Sequence, residues 1–93
     1  MANPEVVVHF EQKGSELRAV EIGRRGRSPL IATLHRALFA LGIVVSTYQV
    51  RTANGGLVER LVLERRDGGT IDGQLGTDTR AAILPIALEE DAS

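Results

Sequence analysis

The sequence predicts an α+β domain of order ββαββα: a four-stranded antiparallel sheet with two helices on one face. Two observations carry this. One segment has a three- and four-residue apolar repeat between a helix start signal and a helix stop signal. On both sides of it, short β-rich runs are joined by Gly-containing links.

The first run, Val6-Val7-Val8-His9-Phe10, follows Pro4 and ends at Gln12-Lys13-Gly14-Ser15. The second, Leu17 to Arg24, alternates so that Arg18, Val20 and Ile22 share one face and Leu17, Ala19 and Glu21 the other. Two such runs around a polar Gly link read as a β-hairpin.

The helix is expected over 29–41. Ser28 can cap it, because its hydroxyl accepts an orphan amide of the first turn. Pro29 then takes the first helical position, where a missing N–H costs nothing. Leu30, Ile31, Leu34, Leu38 and Leu41 form one apolar stripe. Gly42 is expected as a left-handed cap.

The third strand, Ile43 to Thr52, changes phase: Ile43 and Val45 share one parity, Tyr48, Val50 and Thr52 the other. A bulge near Ser46-Thr47 would bring both sets to the core. Asn54-Gly55 is a strong hairpin signal. The fourth strand, Leu57 to Arg66, places Leu61 and Leu63 inward and Arg60, Glu64 and Arg66 outward, and Asp67-Gly68-Gly69 ends it. A second helix is expected over 78–88, capped by Thr77 or Asp78, with Ile83, Leu84 and Leu88 as its apolar contacts. Pro85 inside it predicts a kink or an early break.

From the second strand onward this order is ferredoxin-like without the usual last strand, and the first strand can fill the vacant edge. All 93 residues form one domain, with a core of about 5–88 and a frayed tail over 89–93. So short a chain buries modest surface, which favours oligomerisation.

A net charge of -1 argues against a dedicated nucleic-acid or anionic-membrane binder, and 3% aromatic residues offer few stacking platforms. The absence of cysteine excludes disulfides and thiolate metal sites. No stretch approaches the length of a membrane span, and residues 1–5 lack the basic and apolar regions of a leader, so a cytoplasmic location is expected. Arginine supplies nearly all the positive charge; with the many Ala and Gly this suggests a GC-rich bacterial genome.

Gly26-Arg27-Ser28-Pro29-Leu30-Ile31, then Ala37-Leu38-Phe39-Ala40-Leu41-Gly42-Ile43, then Glu59-Arg60-Leu61-Val62-Leu63 stand in a spacing similar to that of the ACT domain family. The closest likeness is to the C-terminal ACT domains of bacterial nitrogen-sensor uridylyltransferases. The resemblance spans Val20 to Leu63. It implies a stand-alone, dimeric, allosteric module that binds a small amino-acid-like or anionic metabolite, or regulates a partner protein. It places the ligand site at Arg25, Gly26, Arg27, Ser28, Pro29 and Leu30. Phe39 and Tyr48 are expected either as peripheral core packing or as dimer contacts, since ACT modules commonly pair through helices and edge strands. Pro29 stands where the family has Gly, which removes one backbone donor, and Gly26 stands where it has an acidic residue. An interaction or dimerisation module that has lost its small-molecule ligand is therefore the alternative.

Arg24, Arg25 and Arg27 cluster before the helix N-terminus, where free amides and the helix dipole favour an anion. Against that stands an ordinary solvated arginine loop. His9 and His35 make no zinc motif, so no metal or cofactor is expected. Ser28 and Ser46 sit in no nucleophile elbow. Glu59 and Glu64 fall on opposite strand faces and cannot act as a carboxylate pair. An enzyme is not expected.

Overall fold

A computed structural model of the chain describes residues 6–25, 29–53 and 55–89. Its elements run β1 (Val6–Lys13), β2 (Glu16–Arg25), α1 (Ile31–Phe39), β3 (Ile43–Ala53), β4 (Gly56–Arg65) and α2 (Gly73–Leu88). The four strands form one antiparallel sheet in the order β1-β2-β4-β3. This is not the simple ferredoxin-like order, in which the strand beside the first comes last in the chain; here the chain's own first strand occupies that edge. Both helices contribute to one apolar cluster with the sheet: Leu34 and Leu38 from α1 and Ile83 and Ala87 from α2 meet Val20, Ile22, Leu61 and Leu63.

Two bulges set which residues reach that cluster. Between Val45 and Thr47 the β3–β4 register shifts, so Ser46 is the extra residue and Ile43, Val45 and Tyr48 all pack inward. This is the bulge expected near Ser46-Thr47, but it brings in only Tyr48 of the second set: Val50, 48% exposed, and Thr52 stay outside the core. The second bulge corrects the predicted phase of β2. Glu11 pairs with Ala19 and Gln12 with Leu17, which leaves Arg18 as the extra residue. Leu17 therefore joins Val20 and Ile22 in the core, and Arg18 does not. The Leu17 amide leaves the hairpin to donate to the Ile71 carbonyl at 2.8 Å, tying β2 to the approach of α2.

The helices also differ from expectation. Helix α1 is shorter than 29–41, with Pro29 and Leu30 ahead of its first turn. Its exit tightens through i→i−3 bonds from Leu41 to Leu38 and from Gly42 to Phe39, and Gly42 has φ 79°, the predicted left-handed cap. The expected cap Ser28 lies outside the described residues, as do Asn54 and the tail beyond Glu89.

Helix α2 starts five residues before the predicted Asp78, at Gly73, with Asp72 rather than Thr77 or Asp78 at the N-cap. It continues through Pro85 to Leu88, so the expected break does not occur. Pro85 lies on the exposed side, one turn before the end, where the carbonyl it leaves unbonded can face water. Gly76, Thr79, Ile83 and Ala87 face inward, whereas Leu84 and Leu88 are 37% and 57% exposed.

Candidate functional site

The entrance to α1 is built around a carboxylate. Glu59 sits mid-β4, with the parity of Leu61 and Leu63, and this directs it to the helix-covered side of the sheet. It is 1% exposed. Its Oε1 accepts the backbone N–H of Leu30 at 2.9 Å and the hydroxyl of Tyr48 at 2.8 Å. A buried carboxylate without donors would be costly, and these two bonds stabilise it. The hydroxyl is itself perturbed: burial, then the hydrogen bond to Glu59 and its negative charge, push Tyr48 up to about 12.

Arg24 is the second buried charge, 4% exposed, on the same side of β2. Its ladder partner is Leu57, whereas that of Glu59 is Ile22, so the two charges occupy diagonal cross-strand positions. Opposite charges in a low-dielectric layer attract more strongly than the same charges in water.

The predicted ligand loop is only partly placed. Gly26, Arg27 and Ser28 lie outside the described residues. Arg25 ends β2 as an exposed residue whose parity turns it to the uncovered face of the sheet, away from Arg24. Pro29 is exposed, and the Leu30 amide is held by Glu59. The donor nearest the helix entrance therefore already carries an anion, supplied by the chain itself. Sequence reading placed Glu59 on the right parity but did not assign this role; the available signal was an acidic residue in the apolar phase of Leu61 and Leu63.

The two predicted dimer contacts separate. Phe39 is 46% exposed at the end of α1, with the Arg66 guanidinium carbon 4.4 Å above its ring centre and the His35 ring 6.0 Å away. Tyr48 is half-buried and engaged with Glu59. His9 lies on the uncovered face of β1, so the two histidines are not brought together. Among the described residues no group of three or more His, Asp or Glu side chains could hold a metal ion, and no helix is long and apolar enough to cross a membrane.

The uncovered face of the sheet carries cross-strand ion pairs. Arg51 on β3 reaches Glu21 on β2 at 3.5 Å, and Arg60 on β4 pairs with Glu11 on β1. Ala19 lies between the strands bridged by Arg60 and Glu11, and is 2% exposed although its face has no helix. Comparison of the chain with family models, with curated proteins and with solved structures finds no match.

Proposed function

We propose that this chain is an ACT-like regulatory domain that acts by contact with protein, as a dimer and on a regulated partner, without catalysis and without an anionic effector at the α1 entrance. The observation that carries this reading is the Glu59 carboxylate on the Leu30 amide. An incoming carboxylate or phosphate at that amide would have to displace a buried, hydrogen-bonded charge of the same sign. The strand order supports the family assignment: with β1 standing in for a missing last strand, β1-β2-β4-β3 corresponds to the ferredoxin-like arrangement. The exposed Phe39 under Arg66 supports a protein contact, since aromatic and arginine side chains are enriched at interfaces.

A metabolite-binding module is the second reading. Arg25 at the end of β2, two residues before Arg27 in the sequence, favours it.

Light scattering on the size-fractionated protein and a thermal-shift screen over amino acids and phosphorylated metabolites separate the two. The protein-contact reading expects a dimer that Phe39→Glu converts to a folded monomer, with no compound raising the melting temperature through a site at the α1 entrance. A saturable rise that Arg27→Ala abolishes and Gly23→Val leaves in place would transfer the assignment to the metabolite reading, because a ligand specific to the native state must stabilise it.

A further inference from the structure

Gly23 lies within β2, a central strand, two residues before its end, and the described fold gives no reason for a glycine there. The ladder is in register on both sides of it, with Val7 across β1 and Val58 across β4, so it marks no bulge. It is not among the glycines with positive φ. A Cβ at Gly23 would meet only the Val58 Cγ2, at 3.7 Å, an ordinary contact. Gly56, by contrast, is required: its Cβ would come within 2.8 Å of the Arg25 Cα and closer still to the Arg24 carbonyl oxygen. An interior strand glycine weakens the sheet and marks places where another group approaches the backbone closely. At Gly23 no group of the described residues comes closer than the Val58 Cγ2.

Above Gly23 the uncovered sheet face has a hollow of about 230 Å³. Its walls are Val7, 57% exposed, and Val58. This volume lies below the usual range for whole small-molecule sites, about 300 Å³ and upward, so it suits a group of a few heavy atoms. The charged rim is asymmetric. Glu21 is engaged by Arg51, whereas Arg25 and His9 have no hydrogen-bond or ion-pair partner among the described residues. The uncommitted polar groups around the hollow are therefore the Arg25 guanidinium and the His9 imidazole.

We infer that the Gly23 hollow is a binding site for a small branched aliphatic carboxylate, its hydrocarbon against Val7 and Val58 and its carboxylate on Arg25 and His9. Arg25 supplies the fork that matches a carboxylate. The site is on the sheet face opposite Glu59 and does not rest on the family reading. Free acid and the C-terminal residue of a polypeptide share this chemistry.

Amide and imidazole NMR spectra of the full chain, titrated with 3-methylbutanoate, 3-methylbutan-1-ol and a short peptide ending in valine, test it. Saturable shifts at Gly23, Val58 and His9 with a carboxylate, absent with the alcohol, are expected. Arg25→Ala should weaken binding about tenfold or more, the scale of a charge-assisted hydrogen bond. Gly23→Val should abolish the shifts while keeping the fold, since valine suits a strand. If Gly23→Val does not fold, Gly23→Ala should still weaken binding several-fold. Tighter binding of the peptide would assign the ligand to a chain end, and tighter binding of the free acid to a metabolite. No saturable shift with either carboxylate, or shifts unchanged in both Gly23 variants, would overturn the site.

Discussion

The Tyr48 hydroxyl donates to Glu59 at 2.8 Å, on the same oxygen that accepts the Leu30 amide. One carboxylate of β4 thereby links the edge strand β3 to the entrance of α1. Because Glu59 is 1% exposed, water cannot readily replace it as acceptor. Glu59→Leu should leave two donors without an acceptor and cost about 2–4 kcal/mol, even though the buried charge is also removed. Glu59→Gln keeps a carbonyl oxygen in place and should cost about 1 kcal/mol. Denaturant titrations of both variants check this. Equal losses would mean that the oxygen does not serve as the shared acceptor.

Tyr48 gives the same site a pH signature. Its ionisation is raised from 10.0 to about 12, chiefly by burial and then by Glu59. A group with a raised folded value stabilises the native state fully below its unfolded value and loses that contribution as pH rises through the folded value. Stability should therefore hold up to pH 10 and decline between pH 10 and about 12. Tyr48 is the sole tyrosine and there is no tryptophan, so tyrosinate absorbance reports this group alone. A native-state midpoint near 10 would contradict the arrangement, and Glu59→Gln should move the midpoint down.

The phase of α2 is tested by neighbouring residues of similar volume. Ile83 is fully buried against the sheet, and Leu84 is 37% exposed. Ile83→Ala should cost about 2–5 kcal/mol through lost burial and the cavity left behind. Leu84→Ala should cost no more than about 1 kcal/mol. Similar losses at both positions would place the helix in the phase read from the sequence instead.

The legible parts of this fold were those with a local physical cause. Gly42 stops α1 because a left-handed residue is needed after the last turn, and the phase change between Val45 and Tyr48 announced the bulge at Ser46. The same signal is present in β2, where Leu17 is out of step with Val20 and Ile22, and strict alternation along the strand hides the bulge at Arg18. The first turn of α2 was hidden because Gly73 and Gly76 are poor helix formers. Gly76 is nevertheless buried inside the helix, where a Cβ would meet only the Arg80 guanidinium at 3.4 Å and the Ile71 carbonyl at 3.7 Å. In the site, parity put Glu59 on the apolar side. The donors it serves lie eleven and twenty-nine residues away in the chain, beyond the reach of spacing arguments.

Gly23 and Gly56 make opposite predictions from the same substitution. Both lie in the β2–β4 ladder, Gly23 opposite Val58 and Gly56 opposite Arg25. At Gly56 a methyl group would collide with the backbone of Arg24 and Arg25, which cannot yield as a side-chain tip can. Gly56→Ala should therefore cost about 1–3 kcal/mol or more, through displacement of β2. At Gly23 the methyl has room, and replacing glycine reduces the freedom of the unfolded chain. Gly23→Ala should raise stability by about 0.5–1 kcal/mol. Thermal and denaturant melts of the two variants measure the difference. A loss at Gly23 comparable to that at Gly56 would show that the fold itself needs the glycine, and would remove the reason for assigning it to a ligand.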